Sequence, residues 1–446
     1  MMRSMFSGVS GLKAHQAKMD VIGNNVANVN TLGFKAGRVT FQEIFNQTLR
    51  GAGAPDAATA RGGTNPMQIG LGIAVGSIDN QMTGGSPQRT DNPTDLSISG
   101  DGFFIVKGSA ADTFKFTRAG NFGLDKLGNL VSGDGMNVYG WTKYEPQGDG
   151  TVKFDTEAEI TPINLYADIA NGNKKIIAAK ATTNIALSGN LNSAQKVAAT
   201  PPASDEKFSM PFTVYDALGN ARELSMTFTK ETPGATGTKW NYSIDFKVNL
   251  DNDATNNITF TPITGSIDFD TKGRLTTANA DKIKISIDLP DALGASDLTN
   301  VNLNLKGLTQ FAADSSVKPS NIDGYSTGNL VTFNVGSDGM ITGVYSNGQQ
   351  QPLGLIALAG FDNPAGLQKV GGNLFMPTTN SGDFNKGVPA GSQGVGTLSP
   401  GTLEMSNVDL SREFTDMIVT QRGFQANSRI ITTSDEMLQE LVNLKR

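Results

Sequence analysis

The sequence predicts a mainly β protein with α-helical termini. The domains are nested and discontinuous: terminal helices pair as a coiled-coil-like core, followed by an inner β domain and an outer β-barrel- or sandwich-like insert. Three observations lead there. Every seventh residue near the C-terminus is apolar: Leu403, Leu410, Met417, Phe424, Ile431 and Leu438. Such a step is the seam of a helix that packs on another helix. The N-terminus repeats the pattern with Met5, Leu12, Met19 and Val26, flanked by Val9, Ile22 and Val29. Between the two ends the apolar period falls to two and glycine-rich turns interrupt it, which is β patterning.

The elements follow in order. The N-terminal helix should end over Asn24–Thr31, because Asn24, Asn25, Asn28 and Asn30 are poor helix formers that tolerate turns, and Gly33 follows. Residues 36–70 read as a connector. The stripe Phe41, Ile44, Phe45 and Leu49 allows one or two helical turns, and 51–63 has little to bury. From 69 to 141 short apolar runs alternate with turns such as Gly100-Asp101-Gly102 and Gly133-Asp134-Gly135. One seven-residue turn recurs at 124–130, 269–275 and 335–341, with an apolar residue at each end and Gly at the fifth place. A short polar turn closed by a glycine of positive φ is a hairpin. Asp268 and Asp270 also have the first spacing of a calcium loop, but Lys272 and Asn279 occupy places that need acids, so no metal is expected.

Strand candidates in the insert are 185–187, 212–215, 224–229, 240–246, 258–260, 283–287 and 301–305; a further β stretch runs over 322–398. Ser399-Pro400-Gly401 then precedes the terminal helix, with Asn407 or Ser411 as its cap. Phe414, Ile418 and Leu441 widen its seam, while Gln421, Ser428 and Asp435 fall on intervening positions. About 40 helical residues would extend roughly 60 Å, longer than a small domain is wide. The expected domains are therefore 1–35 with 400–446 as a helical core, 36–70 as connector, 71–144 with 322–399 as the inner β domain, and 145–321 as one or two outer β domains.

Composition narrows the function. A chain of 446 residues has room for about two to four domains. Its 52 glycines, against a usual share of ~7% of residues, suit many tight turns. A net charge of -6 argues against nucleic acid, which needs cations facing phosphate. There is no cysteine and a single histidine, His15, so disulfides, thiolate sites and HExxH metal sites are unavailable. No phosphate loop or dinucleotide fingerprint occurs, which leaves no catalytic, cofactor-binding or metal-binding candidate. Apolar stretches are too short to cross a membrane, and the N-terminus lacks the apolar core of a leader. The ends differ in charge: residues 1–38 carry five cations and one anion, residues 404–446 five cations and seven anions. What remains is two seams that one chain cannot fully satisfy, and this points to assembly. A β-rich binding protein or glycosidase with oligomerising ends is the competing reading.

Several motifs then resemble a known family. Ser10-Gly11-Leu12-Lys13-Ala14, the run Asp20 to Thr31 and Gly33-Phe34-Lys35 are similar to the N-terminal signature of the bacterial flagellar rod and hook family. Phe414 to Val419, Gln421 to Arg429 and Thr432 through Lys445 resemble the C-terminal block of its hook branch. Gly100-Asp101-Gly102-Phe103-Phe104, with Phe116 to Phe122, is similar to the family's inner β domain. The resemblance implies a structural homopolymer without enzymatic activity or cofactors, exported unfolded by the flagellar type III apparatus to an extracellular tube. It also implies contact with hook cap, distal rod, hook–filament junction and hook-length-control proteins, and neither nucleic acid binding nor membrane insertion. The distal rod of the same family is the near alternative. Met5, Val9, Leu12, Met19, Ile22, Val26, Val29, Leu403, Leu410, Phe414, Met417, Phe424, Ile431, Leu438 and Leu441 are the expected assembly seam.

Overall fold

The computed structural model describes residues 2–55, 62–109, 111–146, 152–167, 173–198, 206–234, 237–249, 257–259, 262–278, 280–287, 298–392 and 394–444. The chain forms two compact units. One holds residues 1–167, 333–343 and 351–446; the other holds 168–332 and 344–350.

The first unit contains both helices, α1 (Met2–Ala27) and α2 (Leu410–Asn443). At 34 residues α2 is about 51 Å long. It starts later than the heptad count suggests, because Leu403 lies on the strand Thr402–Glu404 and is buried there. The cap is Asp409, whose carboxylate accepts from the Ser411 and Arg412 amides at 2.9 and 3.3 Å. Asn407 serves instead as a clip, accepting from the Ala36 amide and donating to the Gln81 and Thr83 carbonyls. α1 ends inside its asparagine run: Asn28 donates to the Asn24 carbonyl, and Thr31 donates to the Asn28 side chain. Val29 is thus past the helix. Gly33 follows with φ +66°, and a Cβ there would stand 2.7 Å from the Ala119 amide nitrogen, so the chain turns at a point where only glycine fits.

The described residues of 36–70 form no helix. Gly37–Glu43 pairs antiparallel with Ile73–Asn80, and Asn46–Arg50 with Met67–Gly70. Phe41, Ile44, Phe45 and Leu49 were spaced for a helical turn, yet they are exposed on this ribbon. Residues 56–61 lie outside the described residues. The β core of the unit mixes distant segments. Phe103–Lys107 pairs with Lys115–Thr117, Asn137–Trp141 and Gln350–Ala359, and Leu96–Ser99 pairs with Thr397–Pro400. Phe103, Phe116, Trp141, Leu355 and Phe375 share its core, with Phe103 edge-on to Phe375 at 5.6 Å.

The second unit is two sheets over one core, a sandwich; its described strands form no closed barrel. An antiparallel sheet joins Lys207–Tyr215, Ala221–Lys230, Thr238–Asn249 and Ile263–Phe269. The other sheet places Asn184–Asn192 between Leu298–Phe311, parallel to it, and Lys318–Ile322. Met226, Phe228, Trp240 and Ile267 from the first sheet meet Ile185, Leu187, Leu303 and Leu305 from the second. The strand candidates fall on strands, Phe260 lying outside the described residues. Asn279, at the twelfth place of the calcium-like loop, is also outside them.

At 124–130 and 269–275 the recurring turn is an aspartate cap, whereas at 335–341 Gly336 takes the aspartate's place. Asp125 accepts from the Leu127 and Asn129 amides, and Asp270 from those of Lys272 and Arg274. Gly128 and Gly273 supply φ of +87° and +74°. Asp216 to Asn220 is a further copy that the sequence reading passed over, with Gly219 at φ +87° and Arg222 paired to the buried aspartate at 3.1 Å.

Candidate assembly surface

The two terminal helices run antiparallel and pack through small and polar residues. On α1 the buried positions are Gly8, Gly11, Ala14, Ile22 and Asn25. A Cβ on Gly8 would be 3.5 Å from the Ile431 side chain, and one on Gly11 only 2.8 Å from that of Asn427. His15 lies against Gly423, where a Cβ would be 2.8 Å from its ring. Lys18 pairs with Asp416 at 3.0 Å. Asn25 donates to Glu413 at 3.1 Å and to the Gly37 carbonyl at 2.9 Å. Burial raises the Glu413 carboxyl above its ordinary value, the Asn25 amide opposing.

The predicted α1 seam is therefore not the face that meets α2. Of its members Ile22 alone is fully buried. Leu12 and Met19 lie about 100° round the helix from Gly11 and Lys18, at 100° per residue; with Met5 and Val26 they are only half-buried, and Val9 is exposed. On α2, Met417, Ile431 and Leu438 are half-buried, Ile431 lying against Gly8 of α1, whereas Leu410, Phe414, Phe424 and Leu441 are exposed. The intervening seam positions are Thr420, Asn427 and Ser434, each one residue before those the heptad count named. Phe414 and Ile418 stand 50% and 59% exposed, unusual for side chains that water penalises at about 25 cal/mol per Å². These outer flanks are the surface that a single chain leaves open.

A buried charged knot ties the helices to the β core. Glu404, just ahead of α2, holds the Lys35 ammonium at 2.5 Å and faces the Arg118 guanidinium at 3.4 Å, all three side chains being buried. The Gly85 amide donates to the same carboxylate at 2.9 Å. Lys35 also donates to the Thr83 carbonyl, and Arg118 to that of Gly100. Burial pulls the Lys35 ammonium below its ordinary value, while Glu404 opposes the shift. Lys35 and Arg118 stood inside the family-like motifs, but nothing in their spacing links them to Glu404.

The helix seam is expected to respond to pH. Burial, then the nearby Lys18, lowers the His15 imidazole below its ordinary value of 6.5. Its buried Nδ1 has no hydrogen-bond partner among the described residues, and Phe41 lies edge-on at 5.8 Å. A lowered imidazole binds fewer protons when packed, so its contribution is intact above 6.5 and is lost as pH falls through the packed value. Glu413 acts in the opposite sense. His15→Gln should flatten the acid side of an assembly-stability profile measured between pH 7.5 and 5; an unchanged profile would refute the assignment.

Four family models match in chain order. "Flagella basal body rod protein" covers residues 5–35, "Flagellar hook protein FlgE/F/G D1 domain" 97–180, "Flagellar basal body protein FlaE D2 domain" 190–325, and "Flagellar basal body rod FlgEFG protein C-terminal" 399–444. Paired terminal helices and β units, matched by these models, define an axial protein of the flagellum. The flagellar hook protein FlgE of Borreliella burgdorferi is 41% identical over 100% of both chains, and the basal-body rod protein FlgG of Bacillus subtilis 31% identical over 100% of both. The chain belongs to the flagellar hook protein family. The crystal structure of Helicobacter pylori flagellar hook protein FlgE2 shares the fold, with TM-score 0.50 and 14% identity over 71% of this chain and 100% of that one. No helix among the described residues is long and apolar enough to cross a membrane.

Proposed function

We propose that the chain polymerises into the flagellar hook, the curved flexible tube that passes motor torque from rod to filament. The observation behind this reading is the helix pair whose outer flanks stay apolar and open: apolar surface of that extent calls for neighbours. The full-length likeness to hook proteins says which assembly it is, and the lower identity to a rod protein makes the straight rod the second reading. The role is structural, without catalysis or cofactor. Export through the type III apparatus, and contacts with the hook cap, distal rod, junction and length-control proteins, belong to the same reading. So does the division into a helical core (1–35 with 400–446), a ribbon (36–70), an inner β domain (71–144 with 322–399) and an outer one (145–321). Negative-stain images of polymerised protein test it: curved tubes are expected, straight tubes would favour the rod, and discrete oligomers would refute both.

Isolated helices are marginal in water, and packing supplies most of their stability. The terminal helices are expected to be largely unfolded in the monomer and to form on polymerisation, which would keep subunits from pairing before they reach the growing tip. Circular dichroism should report a gain of helix as tubes form. Equal helicity in monomer and tube would sink the coupling.

A further inference from the structure

We propose, resting on that reading, that residues 33–37 and 402–409 are already docked on the β core of the unassembled chain, and that both terminal helices zip outward from this root as subunits join.

The root is built differently from the helices. Gly33 to Ala36 are four consecutive buried residues, with Phe34, Lys35 and Ala36 only 8%, 1% and 3% exposed. Their main chain is bonded into the core. The Gly33 amide donates to the Glu404 carbonyl and the Gln81 amide to the Ala36 carbonyl, both at 2.8 Å. Asn373 donates to the Leu32 carbonyl and Lys369 to that of Lys35. Thr402–Glu404 is itself a strand paired with Pro87–Arg89. All of these partners lie outside the helices. On α2, by contrast, Thr420 and Ser434 are the buried residues, and α1 buries Gly8, Gly11, Ala14, Ile22 and Asn25 among its described residues. Helices so thinly covered depend on packing from elsewhere, whereas the root has its partners within the chain.

The root then fixes one end of each helix. Asn25, in the last turn of α1, presents its carboxamide as a peptide group would. It donates to the Gly37 carbonyl and accepts from the Gly37 amide, both at 2.9 Å. It also donates to Glu413, in the first turn of α2, at 3.1 Å. Asn407 bonds the Ala36 amide and the Gln81 and Thr83 carbonyls, two residues ahead of the Asp409 cap. Fixing a first turn is the costly step of helix formation, with a nucleation factor of about 10⁻³, and later residues add one bond each. α1 is therefore nucleated at its C-terminal end and α2 at its N-terminal end. Because the helices are antiparallel, these ends lie side by side and both helices grow the same way.

Hydrogen exchange read by mass spectrometry, on full-length chain held below its critical concentration, tests the order. Peptides covering 33–37 and 402–408 should exchange about tenfold or more slowly than those covering 3–20 and 415–440, and the helix peptides should slow in the tube. Equally fast exchange of root and helices in the monomer would overturn the root. Helices as protected in the monomer as in the tube would overturn the zipping. Failure of the wild-type chain to form tubes would instead remove the hook reading, whatever the exchange of the root. Seeded growth gives an independent readout. Asn25→Ala removes the anchor of the first helical turn, so fewer free chains can begin to zip, and the subunit on-rate should fall about tenfold with little change in the off-rate. Asp416→Asn loosens the Lys18 pair further along the seam, and its effect should fall on the off-rate. An Asn25→Ala loss carried by the off-rate would overturn the proposal, because the root would then close after docking.

Discussion

Glu404→Ala is expected to destabilise the first unit by about 3–5 kcal/mol, the usual result of removing one partner from a buried ion pair. The carboxylate is buried and serves two buried cations, Lys35 at 2.5 Å and Arg118 at 3.4 Å. Without it both charges stay behind, and the Gly85 amide loses its acceptor. Lys35→Met is the informative contrast. It leaves Glu404 with Arg118 and keeps an apolar stem of similar length in place, so it should cost clearly less. Denaturant unfolding of the two variants measures the difference, and limited proteolysis should show residues 1–35 cut sooner in Glu404→Ala. Equal stabilities would mean that Arg118 alone does not hold the carboxylate. The position matters because Lys35 follows α1 directly and Glu404 precedes α2. One carboxylate fixes the exit of the first helix and the entry of the second against the same β core.

Period carried much of this fold in the sequence. Alternation located the strands of the sandwich because one face of each is buried, as Met226, Phe228 and Trp240 are. The Asp-x-x-Gly turns were legible because the cap is local and needs no partner from elsewhere in the chain. Residues 36–70 misled for a physical reason. Phe41, Ile44, Phe45 and Leu49 suit a helix face, but their apolarity serves an exposed ribbon, so no burial pattern distinguished the two. The seam misled in the same way. A search for large apolar residues found the flank that remains open on α1, because the face that meets α2 is built from Gly8, Gly11, Ala14 and Lys18, which no hydrophobic count registers. Leu403 continued the heptad by coincidence, its burial belonging to a strand. The knot of Lys35, Arg118 and Glu404 joins three distant points of the chain, and pairing of that kind leaves no local trace.

Two glycines of the same helix should respond in opposite directions. At Gly11 a Cβ would lie 2.8 Å from the Asn427 side chain, whose amide donates to the Gly423 carbonyl at 3.0 Å. The amide has a bond to lose if it moves. Gly11→Leu adds a branched side chain where even a Cβ already meets the Asn427 side chain. Overpacking of this kind costs about 1–3 kcal/mol, and more when it forces two helices apart along a seam also held by Lys18–Asp416 and Asn25–Glu413. The variant should show a sharply raised critical concentration for tubes, or none at all. At Gly23 nothing lies within 4 Å of the added carbon, so Gly23→Ala removes backbone freedom from the unfolded chain at no steric cost. It should strengthen α1 by about 1 kcal/mol and lower the critical concentration. If both substitutions weaken assembly equally, α1 is sensitive to any change and the helix pairing described here is not its cause. If Gly11→Leu assembles normally, the close seam through Gly8, Gly11 and Gly423 does not exist in the tube, and a different register of α1 on α2 must be sought.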